Sequence, residues 1–89
     1  METLVNILDG KAEALEFYIK EGSEACDRPL QELKLKDNVI VACIRRGRDI
    51  IYPRGSDQIR VGDRVVIVTT HQGLNDITDI LKGIGGRES

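Results

Sequence analysis

The chain has 89 residues, 40% of them hydrophobic and 31% charged, which is enough for one compact domain and too little for two, and well outside the composition of disordered chains. A formal net charge of −2 argues against a duplex-binding module, and no apolar run approaches the roughly 20 residues needed to cross a bilayer, so neither nucleic acid binding nor direct membrane insertion is expected. Cys26 and Cys43 are isolated and read as reduced thiols of a cytosolic protein, and the N-terminus lacks the basic and apolar segments of a secretory leader.

The first element is a short strand over Leu4, Val5, Asn6, Ile7 and Leu8, closed by the turn signal Asp9-Gly10. Residues 11–20 favour helix by propensity, yet Leu15, Phe17 and Ile19 alternate like a strand; the preceding turn favours a second strand, antiparallel to the first, with those three on one buried face. After the break at Glu21-Gly22-Ser23, Asp27 and Pro29 read as a cap and first turn of a short helix carrying Leu30 and Leu33. Residues 39–44, Val-Ile-Val-Ala-Cys-Ile, predict a central strand buried on both faces. A polar turn at 45–49 leads into a strand over Ile50, Ile51 and Tyr52 that Pro53 ends, making a hairpin. A loop with Ile59 and Val61 as apolar anchors then hands over to a β-branched strand at 64–70. Leu74, Ile77, Ile80, Leu81 and Ile84 recur at helical spacing and predict a closing helix, ended by Gly83, Gly85 and Gly86. The expected fold class is therefore α+β: a small mixed or antiparallel sheet packed with two short helices, in the order β-β-α-β-β-β-α. With only Phe17, Tyr18 and Tyr52 as aromatic residues the core is thin, which favours pairing with a second copy.

Catalytic and metal chemistry have no visible residues. His71 is the only histidine and has no cysteine at metal spacing, and the motifs of nucleotide cradles and nucleophile elbows are absent. Asp57 and Asp63 stand in turn-forming contexts, and Asp76 and Asp79 suit a helix N-terminus, so capping and solvation account for all four. No catalytic residue, no metal ligand and no enzyme activity are expected. One cluster stands out: Arg45, Arg46 and Arg48 share a hairpin turn, with Arg54 following Pro53. Such a cluster is either a solvated hairpin tip balanced by Asp49 and Asp57 or an anion site, because guanidinium forks bind phosphate and carboxylate in bidentate fashion. Strand alternation puts Ile44 and Arg46 on one face and Arg45 on the other.

The series Asp9-Gly10-Lys11-Ala12-Glu13-Ala14-Leu15-Glu16, Pro29-Leu30-Gln31-Glu32-Leu33, Asn38-Val39-Ile40-Val41-Ala42, Ile50-Ile51-Tyr52-Pro53-Arg54-Gly55 and Ile59-Arg60-Val61-Gly62-Asp63-Arg64-Val65-Val66-Ile67-Val68 resembles, over nearly the whole chain, the RCK C-terminal (RCK_C, or TrkA-C) domain of bacterial TrkA. The resemblance implies a regulatory subunit of a Trk potassium-uptake system, in the cytoplasm and peripheral to the inner face of the membrane through its transporter subunit. It also implies one domain over residues 1–89, a fragment of a longer chain whose Rossmann-type domain, absent here, would bind NAD or ATP. The implied partners are a second copy of the same domain, that Rossmann-type domain and the membrane potassium-transporter subunit. No cofactor is implied for this domain itself, but some relatives take cyclic di-AMP at the two-fold axis between such domains, so the resemblance allows cyclic di-AMP or another anionic nucleotide as a ligand. By position its site is Ile44, Arg45, Arg46, Ile51 and Pro53, with Arg54 beside them. The alternatives are a purely structural dimerisation module of the gating ring with no small-molecule ligand, or the same domain type attached to another cation or anion transporter.

Overall fold

A computed structural model describes residues 1–82. Five strands, β1 (Glu2–Ile7), β2 (Ala12–Tyr18), β3 (Val39–Arg46), β4 (Asp49–Ile51) and β5 (Arg64–Thr69), form one sheet in the order β1-β2-β5-β3-β4. Every pairing is antiparallel. β1 and β2 are joined through a tight turn in which Leu8, Asp9 and Gly10 all take positive φ, the conformation the Asp9-Gly10 signal favours. The ambiguous segment 11–20 is indeed a strand, because β2 lies between β1 and β5 and its helix-forming residues satisfy their backbone groups in two ladders.

Alternation along β5 sets the two faces of the sheet. Val65, Ile67 and Thr69 point inward with Leu15 and Phe17 of β2 and Val39 and Ile44 of β3, and all of these are buried. The inner face is covered by loops rather than by helices: Ile19, Ala25, Leu33, Ile59, Leu74, Ile77, Ile80 and Leu81 complete one core cluster. Leaving Ile67 or Phe17 exposed instead would forgo about 1.5–3 kcal/mol each.

Two expectations are corrected here. The two α-helices are replaced by single 3-10 turns at Leu30–Glu32 and Ile77–Ile80, and among the described residues there is no α-helix. At the first turn, Leu30 N–H donates to Asp57 O and Gln31 N–H to Gly55 O, so the opening donors, which an α-helix also leaves without an internal partner, tie the segment to the loop at 55–57. Pro29 likewise bridges Gln58, and Leu33 is already extended. At the second, Asp76 and Asp79, expected at a helix N-terminus, form a capping box there, but the turn ends at Leu81, which bridges Leu35. Lys36 N–H donates to Ile80 O there, so cross-chain bonds end the turn where a helix would have continued. A nucleus of one turn fixes many dihedrals for few bonds, so it gives way to such alternatives. The apolar positions were nevertheless the right ones, since Leu74, Ile77, Ile80 and Leu81 are all buried; the part of the expected helix at 83–84 lies outside the described residues.

The second correction concerns β3, expected to be buried on both faces. Its inner residues Val39 and Ile44 are buried, but Ile40 on the outer face is 63% exposed and Cys43, displaced by a β-bulge between Val41 and Cys43, is half-buried on that same side. No described element lies over the outer face. Its rows follow from the register: Val5–Ala14–Val68–Ile40, then Glu2–Glu16–Val66–Cys43, then Tyr18–Arg64–Arg45–Ile50.

Candidate functional site

The arginine cluster sits on the β3–β4 hairpin, where Ile44 pairs with Ile51, Arg45 with Ile50 and Arg46 with Asp49. The turn between the strands passes through Gly47 at φ 61°, a conformation that favours glycine. Arg45 and Arg46, neighbours in sequence, therefore leave the sheet in opposite directions.

Arg46 turns inward to a buried carboxylate. Its Nε donates to Asp63 Oδ1 at 2.9 Å and its Nη2 to Asp63 Oδ2 at 2.8 Å, a bidentate fork, and Nη2 also donates to Gln58 O at 3.0 Å. Asp63 is 1% exposed and closes the turn before β5: Oδ2 accepts from Arg60 N–H, and Gly62, at φ 90°, donates its N–H to Ile19 O. The aspartate's own backbone carbonyl accepts from Ile19 N–H at 2.9 Å. The carboxylate thus ties the end of β3 to the entry to β5, and the backbone of the same turn ties that entry to the end of β2. Burial pushes its carboxyl up, but the Arg46 fork, the Arg60 N–H and the two arginine charges outweigh burial and hold it below the ordinary aspartate value. Turn formation, expected for Asp63 from sequence, is present; solvation is not, and the residue is the centre of the polar network. The one sequence signal for this was Gly62-Asp63 directly before a strand, which gives the turn but not the distant arginine.

Arg45 turns outward. Its side chain is exposed and its Nε donates to Gly47 O at 3.3 Å, while the terminal guanidinium nitrogens have no hydrogen-bond partner among the described residues. Directly across the ladder stands Arg64, which reaches Glu16 Oε1 at 3.3 Å and lies 5.4 Å over the Tyr18 ring. Two like charges opposite one another are destabilising unless an anion lies near. Arg64 carries no signal from sequence beyond being one of many exposed arginines.

The six residues expected to form a site do not share one surface. Ile44 is fully buried in the core, Ile51 packs against that core from the same face, and Arg46 is engaged by Asp63. Pro53 is half-buried and Arg54 exposed, with Arg54 N–H donating to Asp57 Oδ2 at 2.7 Å. Arg45 alone of the six stands on the outer face.

Comparison with known proteins decides the family: the model of the TrkA-C domain matches residues 14–82. The chain belongs to the TrkA-C domain family. Among curated relatives, a Trk system potassium uptake protein TrkA homolog of Archaeoglobus fulgidus is 39% identical over 83 residues, covering 93% of this chain and 18% of that protein. A second, Trk system potassium uptake protein TrkA homolog 2 of Methanosarcina mazei, is 32% identical over 76 residues, covering 85% of this chain and 17% of that protein. The chain thus spans under a fifth of the length of these relatives. They are archaeal, whereas the sequence resemblance pointed to the bacterial protein. A solved structure described as an RCK domain with cda matches at 27% identity and TM-score 0.54, over 66% of this chain and 81% of that one. The likeness places the five-stranded antiparallel sheet in the RCK-type fold. No helix among the described residues is long and apolar enough to cross a membrane.

Proposed function

We propose that this TrkA-C domain is a non-catalytic regulatory module of a cytoplasmic subunit that controls potassium uptake through a Trk-type membrane transporter. In that reading it is one domain of a longer chain, pairs with a second copy of itself, and binds an anionic nucleotide, cyclic di-AMP, beside the β3–β4 hairpin. Potassium uptake comes from the relatives' names, and a bound small molecule from the RCK domain described with cda. The NAD or ATP site belongs to a Rossmann-type domain elsewhere in the longer protein.

The observation that carries the ligand proposal is the division of labour at the hairpin: Arg46 is committed to Asp63, while Arg45 presents free guanidinium nitrogens beside Arg64 on the open face. Arg46 has spent its Nε and Nη2 on Asp63 and Gln58, so of these two Arg45 has the more donors to offer a phosphate. Arg54, exposed beyond the hairpin, is a further charge close along the chain, while Ile51 packs on the inner core and lies off this face. The same division supports a second reading, a pairing module with no small ligand, because the arginine bound to Asp63 is explained by the fold. Calorimetric titration of cyclic di-AMP into the chain and into Arg45→Ala at fixed salt separates them. The ligand proposal expects a loss of roughly 1.5–3 kcal/mol per charged hydrogen bond removed. No heat with the parent chain would leave the pairing module.

A further inference from the structure

The sheet register brings two arginines face to face on the outer side. Arg45 of β3 pairs with Arg64 of β5, and the same row continues to Tyr18 of β2 on one side and to Ile50 of β4 on the other. Residues opposite one another in a ladder share a face, so these four side chains leave the sheet together, at strand spacings of about 4.8 Å. All four are exposed, so nothing described covers them.

Each guanidinium is held at one point and open elsewhere. Arg45 is tied through Nε to Gly47 O, and its terminal nitrogens have no partner among the described residues. Arg64 lies over the Tyr18 ring and donates Nη1 to Glu16 Oε1, while its Nε and Nη2 have no partner among the described residues. The Glu16 contact is single and, at 3.3 Å, long for a charged pair, so it steadies Arg64 without occupying its fork. Side chains restrained in this way lose little further freedom when they take up a ligand. Two guanidiniums against one carboxylate also leave the centre of the row positive. Arg54 has no place in it, because its backbone N–H is tied to Asp57 in the loop after β4.

Resting on the nucleotide binding proposed above, we infer that Arg64 is the second arginine of that anion site: a phosphate group of the nucleotide lies between Arg45 and Arg64 on the outer face, with Ile50 as an apolar flank for its base. Tyr18 is a positioning residue, since its ring holds the Arg64 guanidinium in place. The two free oxygens of a phosphodiester diverge from a tetrahedral centre, so one can accept from the guanidinium of each strand. The like charges that face each other across the ladder are then neutralised by the ligand.

Calorimetric titration of cyclic di-AMP at fixed salt into the parent chain and into Arg64→Gln tests this. The dissociation constant rises roughly tenfold to a hundredfold, the size of one lost charged hydrogen bond, whereas Arg54→Gln leaves it unchanged. Tyr18→Leu weakens binding in the parent and has no further effect in the Arg64→Gln background, a coupling that a merely structural tyrosine would not show. Circular dichroism verifies that each variant keeps its sheet. Inorganic phosphate is then titrated into the isotopically labelled chain, with the arginine Nε–H resonances followed by NMR. Those of Arg45 and Arg64 shift to saturation, and that of Arg46, engaged by Asp63, stays in place. Parent and Arg64→Gln binding cyclic di-AMP equally well overturns the inference and leaves the nucleotide reading intact. Phosphate shifts confined to Arg45 and Arg64, with no heat from cyclic di-AMP, support the anion site and overturn the nucleotide reading. No response to either ligand overturns both.

Discussion

Replacing Arg46 with alanine removes both arms of the fork to Asp63 and the bond to Gln58 O, leaving a carboxylate of 1% exposure with only the Arg60 N–H as donor. Breaking a buried ion pair from one side costs about 3–5 kcal/mol, since the remaining charge stays desolvated. The Arg46 side chain is 36% exposed, so water screens part of the attraction, and about 2–3 kcal/mol is the expected loss. For a domain of this size that is a fall in Tm of roughly 10–20 °C. Urea unfolding followed by circular dichroism at neutral pH should show a lower midpoint with an unchanged slope. Arg45→Ala, removing an outward guanidinium, should stay within about 0.5 kcal/mol of the parent. The pH dependence has a definite sign. Because Asp63 titrates below an unfolded aspartate, its contribution is complete above about pH 3.9 and is lost as pH falls through its folded value. The gap between parent and Arg46→Ala should therefore shrink in acid. Equal stability of Arg46→Ala and Arg45→Ala, or a gap that widens as pH falls, would refute the role given to Asp63.

Phe17→Ala, at a residue 2% exposed in the core cluster, should cost about 3–5 kcal/mol in the same urea assay. Gly62→Ala meets no atom within 4 Å, so its cost, about 1–2 kcal/mol, should come from the left-handed backbone alone, and a d-alanine introduced by synthesis should remove it. Serine at both Cys26 and Cys43 should leave the sedimentation behaviour unchanged under reducing and oxidising conditions, because neither thiol is paired. Cys43→Ser should lower stability by less than about 1 kcal/mol, since its side chain lies on the outer face and not in the inner core.

The strands were legible because their signals are local. β-branched runs at β3 and β5, the Asp9-Gly10 turn and the Pro53 stop each act within a few residues, and all five strands fall where those signals put them. The helices were not, although their apolar spacing was real. Leu30 and Gln31 found carbonyls at Asp57 and Gly55, and Leu81 found Leu35, partners 24 to 46 residues away that no local pattern announces. The same distance limit governs the site. Alternation correctly separated Arg45 from Arg46, but which of them turned to a buried acid depended on Asp63, 17 residues further along the chain. Sequence also cannot count layers: the apolar run at 39–44 reads as a strand covered twice, and the fold covers it once, leaving Ile40 outward.

The most direct test of the regulatory account is the stoichiometry of cyclic di-AMP binding, measured by isothermal titration calorimetry on the parent chain at a concentration where it is dimeric. A ligand held on a two-fold axis, with Arg45 of each copy reaching one of its phosphates, predicts one cyclic dinucleotide per two chains, with binding that tightens the dimer. Saturation at one ligand per chain, or the absence of any heat above dilution, would contradict it.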